Sequence, residues 1–442
     1  MSTYQPGDRT PIRSLDQIRA SFQPAKPVRG RLGIEWELLA LDAEGRMAPY
    51  GGPEGVQAGL EAFGPGRGAI REEGHLTAVR LEGGGMVELE PGAQLEVASP
   101  PATTLADLER FLGRVEGRLA KAFAEKGLTV HALGHAPRGG PEDHPDVPKA
   151  RYRILGDHLR RAGTRGRRMM KLTAATQFSL DYENEADLRR KVAALLPLLP
   201  YLVAFSANSP MSAGRRTRWL SQRPWIWRGT DRLRCGLPPF LFASDLGYGH
   251  LARYGLSRPL LMLVRDGRYL RGDGRSFAQV LEGPGRLGPI TMEDWELHWS
   301  ALFPDLRPRR YLEVRVADSV PLPLVMAFAA LIKGLVSDPE AVAPWVRLAG
   351  THAAADVRRA ILGAARFGPR WRQEGWPTPA EAMGVAVPLA ARGLRSLGEP
   401  PHWLLPLESL AEHARCPADL WRWSHDGPWS GPAACTMATS RG

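Results

Sequence analysis

The chain has 442 residues, 43% of them apolar and 24% charged, which is enough for a large single core or two ordinary ones and too apolar for wholesale disorder. No run of about eighteen apolar residues suits a membrane span, and Met1 to Ala20 has no apolar stretch of a secretory signal. Net charge is +11, from 58 basic and 47 acidic residues; an anionic partner would fit, but nearly all the basic residues are arginine in an Ala-, Gly- and Pro-rich chain, and a solvated arginine-rich surface is the simpler account.

Residues 1–30 carry scattered prolines and no period and read as an N-terminal arm. Leu32 to Leu41 reads as a strand with glutamates among apolar residues. Pro53 to Phe63 reads as a short helix. Leu76 to Ala98 shows strand-like pieces broken by Gly83-Gly84-Gly85 and Pro91-Gly92, the pattern of an antiparallel hairpin. Thr104 to Lys126 is an amphipathic helix, with Leu105, Leu108, Phe111, Leu112, Val115 and Leu119 at helical spacing and Thr104 with Asp107 as its capping signal. Leu128 to Leu133 is a strand, and His135 to Pro148 a Gly/Pro/His-rich loop. The arginine run Arg160 to Arg168 suits a solvated helix end. Met169 to Tyr182 alternates like a strand. Ala186 to Phe205 is helical, interrupted at Pro197 and Pro200. Leu260 to Tyr269 holds a strand and a turn at Asp266-Gly267, and Arg310 to Val316 a further strand. From Pro323 the pattern is mostly helical, and Asp426 to Gly442 reads as a tail. Central strands with helices between and after them predict an α+β fold around an antiparallel sheet.

Four of these strands place charged or polar groups where a core strand wants apolar ones. Glu35 and Glu37 share one face, as do Glu88 and Glu90, with Glu96 on the returning strand. Gln177, Ser179 and Asp181 share a face, and so do Tyr311, Glu313 and Arg315. A Glu-x-Glu is usually the solvent face of a sheet, but Leu38, Leu39, Leu95, Val97, Leu312 and Val314 beside these residues read as buried. Buried carboxylates repel one another unless paired or bound to a cation. Hard oxygen donors suit Mg²⁺ or Mn²⁺, and Mg²⁺ commonly bridges carboxylates to nucleotide phosphates. With an arginine, such a set suits phosphoryl transfer.

No G-x-x-x-x-G-K-[ST] and no G-x-G-x-x-G opening a helix is present, so a nucleotide would be held by metal and arginine. The cysteines Cys235, Cys416 and Cys435 are scattered and form no C-x-x-C, so neither a disulfide framework nor a thiolate metal site is expected, and a reducing cytoplasm fits. Cys235 beside Arg234 reads as a buried inert thiol.

The motifs in order resemble those of the glutamate–cysteine ligase family, in the form shared by plants and many bacteria, with its ergothioneine-pathway relatives. They are Gly33-Ile34-Glu35-Trp36-Glu37, Leu89-Glu90-Pro91-Gly92-Ala93-Gln94-Leu95-Glu96, Pro148-Lys149-Ala150-Arg151-Tyr152, Thr176-Gln177-Phe178-Ser179-Leu180-Asp181, Phe205-Ser206-Ala207-Asn208-Ser209-Pro210, Ser221-Gln222-Arg223-Pro224-Trp225-Ile226-Trp227, Thr230-Asp231-Arg232-Leu233-Arg234-Cys235-Gly236, Asp294-Trp295-Glu296-Leu297-His298, and Phe303-Pro304 leading into Tyr311-Leu312-Glu313-Val314-Arg315. They span roughly residues 31 to 336.

The resemblance implies a glutamine-synthetase-like fold: a curved, largely antiparallel sheet forming a funnel with helices outside. It implies one catalytic domain over 31–425, with motifs in 31–336 and a helical part in 337–425, before the tail 426–442. It implies that ATP phosphorylates the γ-carboxylate of L-glutamate and that the amine of L-cysteine attacks the acyl phosphate, a step of glutathione or ergothioneine biosynthesis. Carried over, the metal ligands for Mg²⁺ or Mn²⁺ are Glu35, Glu37, Glu90, Glu96, Gln177 and Glu313. Arg315 stabilises the transferring phosphoryl group, Arg151 and Arg223 grip glutamate through planar guanidinium groups, Trp227 and Arg234 line the same pocket, and Lys149 touches a nucleotide phosphate. The chain departs from the plant pattern at Trp36, Leu38, Ala174 and Ser179 and in Val316-Ala317-Asp318-Ser319-Val320-Pro321. Those departures keep a γ-glutamyl ligase with another amine acceptor as the alternative, beside a non-catalytic anion-binding relative. Neither nucleic acid nor membrane is expected as a partner.

Overall fold

Strand β1 (Leu32–Leu41) divides the molecule. Ile34, Trp36, Leu38 and Ala40 point to one side of it and are buried; Glu35, Glu37, Leu39 and Leu41 point to the other, because successive strand residues alternate. The computed structural model describes residues 7–421 except 65, 67 and 145; the expected tail and Cys435 lie outside them. The sheet built on β1 has eight more strands, numbered here in chain order: β2 (Ala69–Glu72), β3 (His75–Arg80), β4 (Met86–Leu89), β5 (Leu95–Ala98), β6 (Thr129–His131), β7 (Ala175–Leu180), β8 (Leu306–Pro308) and β9 (Leu312–Asp318). Their spatial order is β8-β9-β7-β1-β5-β4-β3-β2, with β6 beside the end of β1. All of these pairings are antiparallel, so the α+β expectation holds.

The apolar face of this sheet carries Trp36, Val97, Phe178 and Val314, each 1% exposed or less. Three helices pack on it: Leu105–Ala124 against β1 and β6, Leu199–Ser206 against β9, and Leu322–Ser337 against β7. The first is capped as its sequence predicts, with Thr104 accepting from the Asp107 N–H. The third is buried on every side from Leu324 to Ser337. It lies so close to the helix Pro379–Ser396 that a Cβ at Gly393 would stand 1.9 Å from the Gly334 carbonyl oxygen. Lys333 on this helix pairs with Glu399 in the interior, and the other Glu399 oxygen accepts the Leu105 N–H at 2.8 Å. The C-terminal helical part is thereby tied to the sheet layer. Among the described residues no single helix is long and apolar enough to cross a membrane.

Two elements differ from their sequence pattern. The segment Met169 to Tyr182 is not one strand: Gly166–Leu172 is a helix, and only Ala175–Leu180 is strand. Alternation over so few residues also fits one buried helical turn, and Met169, Met170 and Leu172 are buried there as helix. The strand β2 carries no apolar pattern, because it is a half-exposed edge. The prolines act as expected, separating Glu185–Leu195 from Leu199–Ser206. The turn at Asp266-Gly267 joins Met262–Arg265 to Arg268–Arg271, with φ of +50° and +73°.

Candidate active site

The other face of the same sheet collects the acids. Across neighbouring strands, Glu37 faces Glu96, Glu96 faces Glu88, Glu35 faces Gln177, and Glu313 faces both Ser179 and Arg307. Glu35, Glu37, Glu90, Glu96 and Gln177 line one cavity of about 110 Å³. Arg151, Arg223, Trp227 and Arg315 complete its wall. Of the twelve residues carried over from the family pattern, nine therefore meet in one place.

The turn between β4 and β5 explains the Pro91-Gly92-Ala93-Gln94 motif. Ala93 sits at φ +66°. A side chain at Gly92 would strike the Lys171 carbonyl oxygen at 2.3 Å, so only glycine lets the turn approach the Gly166–Leu172 helix. Buried Gln94 accepts from the Gly92 N–H at 2.8 Å and donates to the Met170 and Thr173 carbonyls at 3.1 and 2.8 Å. The turn is locked, and Glu90 and Glu96 at its two ends are held over the cavity.

Arg223 is placed by a buried hub that absorbs two further motifs. Asp318 accepts from the Asn208 N–H at 2.8 Å, the Ser209 hydroxyl at 2.7 Å and the Ser221 hydroxyl at 2.9 Å. The Gln222 N–H donates to the Ser209 hydroxyl at 2.7 Å. This ties the Asn208-Ser209 and Ser221-Gln222 segments to the end of β9. Arg223 then donates through Nε and Nη2 to the Arg315 carbonyl at 3.2 and 3.1 Å and lies 5.1 Å over the Trp227 ring.

Three expected residues stand off the cavity. Lys149 is fully buried and pairs with Glu88 at 2.9 Å. Arg234 is 1% exposed and turns to the Pro259 carbonyl at 2.6 Å and to Asp231 at 3.3 Å. Glu313 is held by Arg307, by Arg315 at 3.4 Å and by Arg309 at 3.6 Å. Burial would push its carboxyl up, but the three guanidinium groups outweigh burial and hold it at about 2. A cation at Glu313 would have to displace arginine. Conversely, Arg307 and Ser300 line the cavity without having stood out in the sequence, and Phe303, quoted there only as part of a motif, lines it too. What brings Arg307 to the site is its cross-strand pairing with Glu313, which only the register shows.

The acids above the cavity are electrostatically incomplete. Burial pushes the Glu37 carboxyl up to about 7, with Arg223 opposing the rise and Glu90 adding to it. Burial and then Glu88 raise Glu90; burial and then Glu35 raise Glu96 well above the usual carboxylate range. Gln177 donates to Glu37 at 3.0 Å, while its own buried amide oxygen has no hydrogen-bond partner among the described residues. Among the described residues no three His, Cys, Asp or Glu side chains already stand as a ready metal-ligand group. The donor chemistry nonetheless fits a hard divalent cation: several oxygen donors, mutually repelling, beside an unsatisfied amide oxygen.

A pH dependence follows from the sign of these shifts. A raised carboxyl pKa means that the folded state binds the proton more tightly, so the burial penalty is fully felt above about pH 7 and fades as the pH falls towards the unfolded value. Without metal, Glu37→Gln should therefore gain stability over the parent at about pH 8, by on the order of 3 kcal/mol at most, and the gain should shrink towards about pH 5. Thermal unfolding of both proteins across this range checks it; a difference that does not change with pH contradicts it.

A family model described as glutamate-cysteine ligase family 2 (GCS2) matches residues 31–426. The chain is 37% identical over 264 residues to the chloroplastic glutamate–cysteine ligase of Brassica juncea, covering 58% of this chain and 50% of that protein. It is 32% identical over 345 residues to the chloroplastic glutamate–cysteine ligase A of Oryza sativa subsp. indica, covering 75% and 68%. Thus the chain spans about half the length of several curated relatives it matches. Among solved structures, the glutamate–cysteine ligase of Francisella tularensis in complex with AMP aligns with a TM-score of 0.54 at 10% identity, over 88% of this chain and 83% of that one. At that identity the likeness is one of fold.

Proposed function

The chain belongs to glutamate–cysteine ligase family 2, and on that premise we propose that it is an ATP-dependent ligase joining L-glutamate to L-cysteine as γ-glutamylcysteine, with release of ADP and phosphate. The observation that carries this reading is the convergence of Glu35 and Glu37 from β1, Glu96 from β5 and Glu90 from the turn before it on one cavity that also holds Arg223 and Arg315.

In this reading the glutamate γ-carboxylate attacks the γ-phosphorus of ATP, and the amine then attacks the resulting acyl phosphate and expels phosphate. No protein nucleophile is needed, so catalysis rests on positioning and charge. Glu35, Glu37, Glu90 and Glu96, with the Gln177 amide oxygen, would hold Mg²⁺ or Mn²⁺. When bound, that cation supplies positive charge against the phosphates. Arg315 offers a guanidinium to the transferring phosphoryl group. Arg151, which donates to the Ser300 hydroxyl at 3.1 Å, and Arg223 bind glutamate carboxylate oxygens in planar, paired geometry. Trp227 packs at 5.5 Å on Phe303 and keeps that end of the cavity apolar. We place the enzyme in a reducing cytoplasm, where its cysteine substrate is a thiol.

An acceptor screen with ATP, glutamate and Mg²⁺, read by mass, tests the proposal. ADP should form only when glutamate, the cation and an amine are all present, and cysteine should give the γ-glutamylcysteine mass. Product from another amine but not from cysteine changes the acceptor. No ADP with any amine overturns the proposal.

A further inference from the structure

A second cavity, of about 400 Å³, adjoins the first at Arg315. Arg223, Trp227, Phe303 and Arg315 line both spaces, so a molecule in one can reach a group held in the other. None of the acids assigned to the cation lines the second cavity. Its wall carries several arginines and two carboxylates, Asp231 and Asp305.

The two aspartates differ. Asp231 is engaged, accepting the Leu233 N–H at 2.9 Å and pairing with His158 at 2.7 Å and Arg234 at 3.3 Å. At Asp305 only the backbone is engaged: its N–H donates to the Gly236 carbonyl at 2.8 Å, and its carbonyl accepts the Arg315 N–H at 3.0 Å. Its carboxylate makes no hydrogen bond or ion pair among the described residues. Strand geometry directs it. Asp305 immediately precedes β8, and the Arg315 N–H bond to its carbonyl continues the β8–β9 register by one step, so the pleat puts it on the face of Arg307, Glu313 and Arg315. The guanidinium groups of Arg223, Arg315, Arg358 and Arg228 act on it electrostatically, yet none closes on it as an ion pair.

A half-buried carboxylate without a partner is costly. A cavity with one such acid among arginines is complementary to a molecule bearing both charges. We propose that this cavity binds a substrate amino acid as its zwitterion, with Asp305 taking the α-ammonium group and the arginines at the rim, Arg228 and Arg358, taking the α-carboxylate. The inference rests on the ligase reading above, and it adds the subsite and the residue that recognises the amino group. Donor glutamate and acceptor amino acid share this chemistry, and kinetics separates them.

The test is Asp305→Asn, which keeps shape and removes charge. The KM of one amino acid should rise roughly ten- to hundredfold, the scale of one lost charge-assisted hydrogen bond, while the KM for ATP stays unchanged. A rise for glutamate alone assigns the subsite to the donor; a rise for the acceptor alone assigns it to the attacking amine. Unchanged constants for both amino acids overturn the proposal, and so does an equal rise for ATP. Calorimetric titration of parent and variant with L-glutamate and with L-cysteine reads the subsite without turnover. If the parent forms no ADP, the ligase reading has failed; if both proteins bind both amino acids equally, this inference has failed.

Discussion

Glu96→Gln should abolish ligase turnover while leaving the protein folded and, without metal, no less stable than its parent. Glu96 is 3% exposed and stands across from both Glu37 and Glu88. Burial and the neighbouring Glu35 raise its carboxyl, so an uncharged isostere relieves repulsion instead of creating it. If its task is to hold the cation, the same change removes a donor that phosphoryl transfer needs, and kcat should fall by roughly a hundredfold or more, the effect of several kcal/mol of lost charge stabilisation. The pair of readouts is what discriminates. A purely structural acid would lower the melting temperature and leave the residual rate in proportion to folded protein; a ligand lowers the rate and leaves or raises the melting temperature. Added Mg²⁺ should raise the melting temperature of the parent and not of the variant.

Arg315→Ala should lower kcat by roughly 10² to 10³, the scale for losing one electrostatic stabiliser. The surroundings make this variant clean. Arg223 is anchored on the Arg315 backbone carbonyl, which alanine retains, so the second arginine should keep its place. Glu313 keeps Arg307 and Arg309 when Arg315 is gone, so no buried acid is left without compensation. The KM for ATP should change little compared with kcat. A loss below about tenfold would show that the charge of Arg315 is not what stabilises the transferring group.

The sequence carried the strands of the site well, because a strand that must bury one face and arm the other cannot hide its period. Ile34-Glu35-Trp36-Glu37-Leu38 is such a strand: its apolar residues face the helices and its acids the cavity. The Thr104 cap and the turn at Asp266-Gly267 were readable for a similar reason, since each needs a particular residue at a particular backbone conformation. What stayed hidden depends on contacts between distant segments. Lys149 sits within a family motif, but only the fold shows that Glu88 holds it. Arg307 and Asp305 belong to no charged pattern along the chain; the pairing of β8 with β9 brings them to the site. The Asn208-Ser209 segment has no polar period of its own, and its purpose appears only when Asp318 closes on it from the end of β9. The helix Gly166–Leu172 was masked because its apolar residues also fit alternation.

The most direct measurement is anomalous diffraction from crystals grown with Mn²⁺ and a non-hydrolysable ATP analogue. Manganese should appear between the β1 and β5 acids, within about 2.0–2.3 Å of carboxylate oxygens drawn from Glu35, Glu37, Glu90 and Glu96, with a phosphate oxygen on its open side. Manganese bound only away from these residues, with the nucleotide phosphates lying elsewhere, would contradict the account.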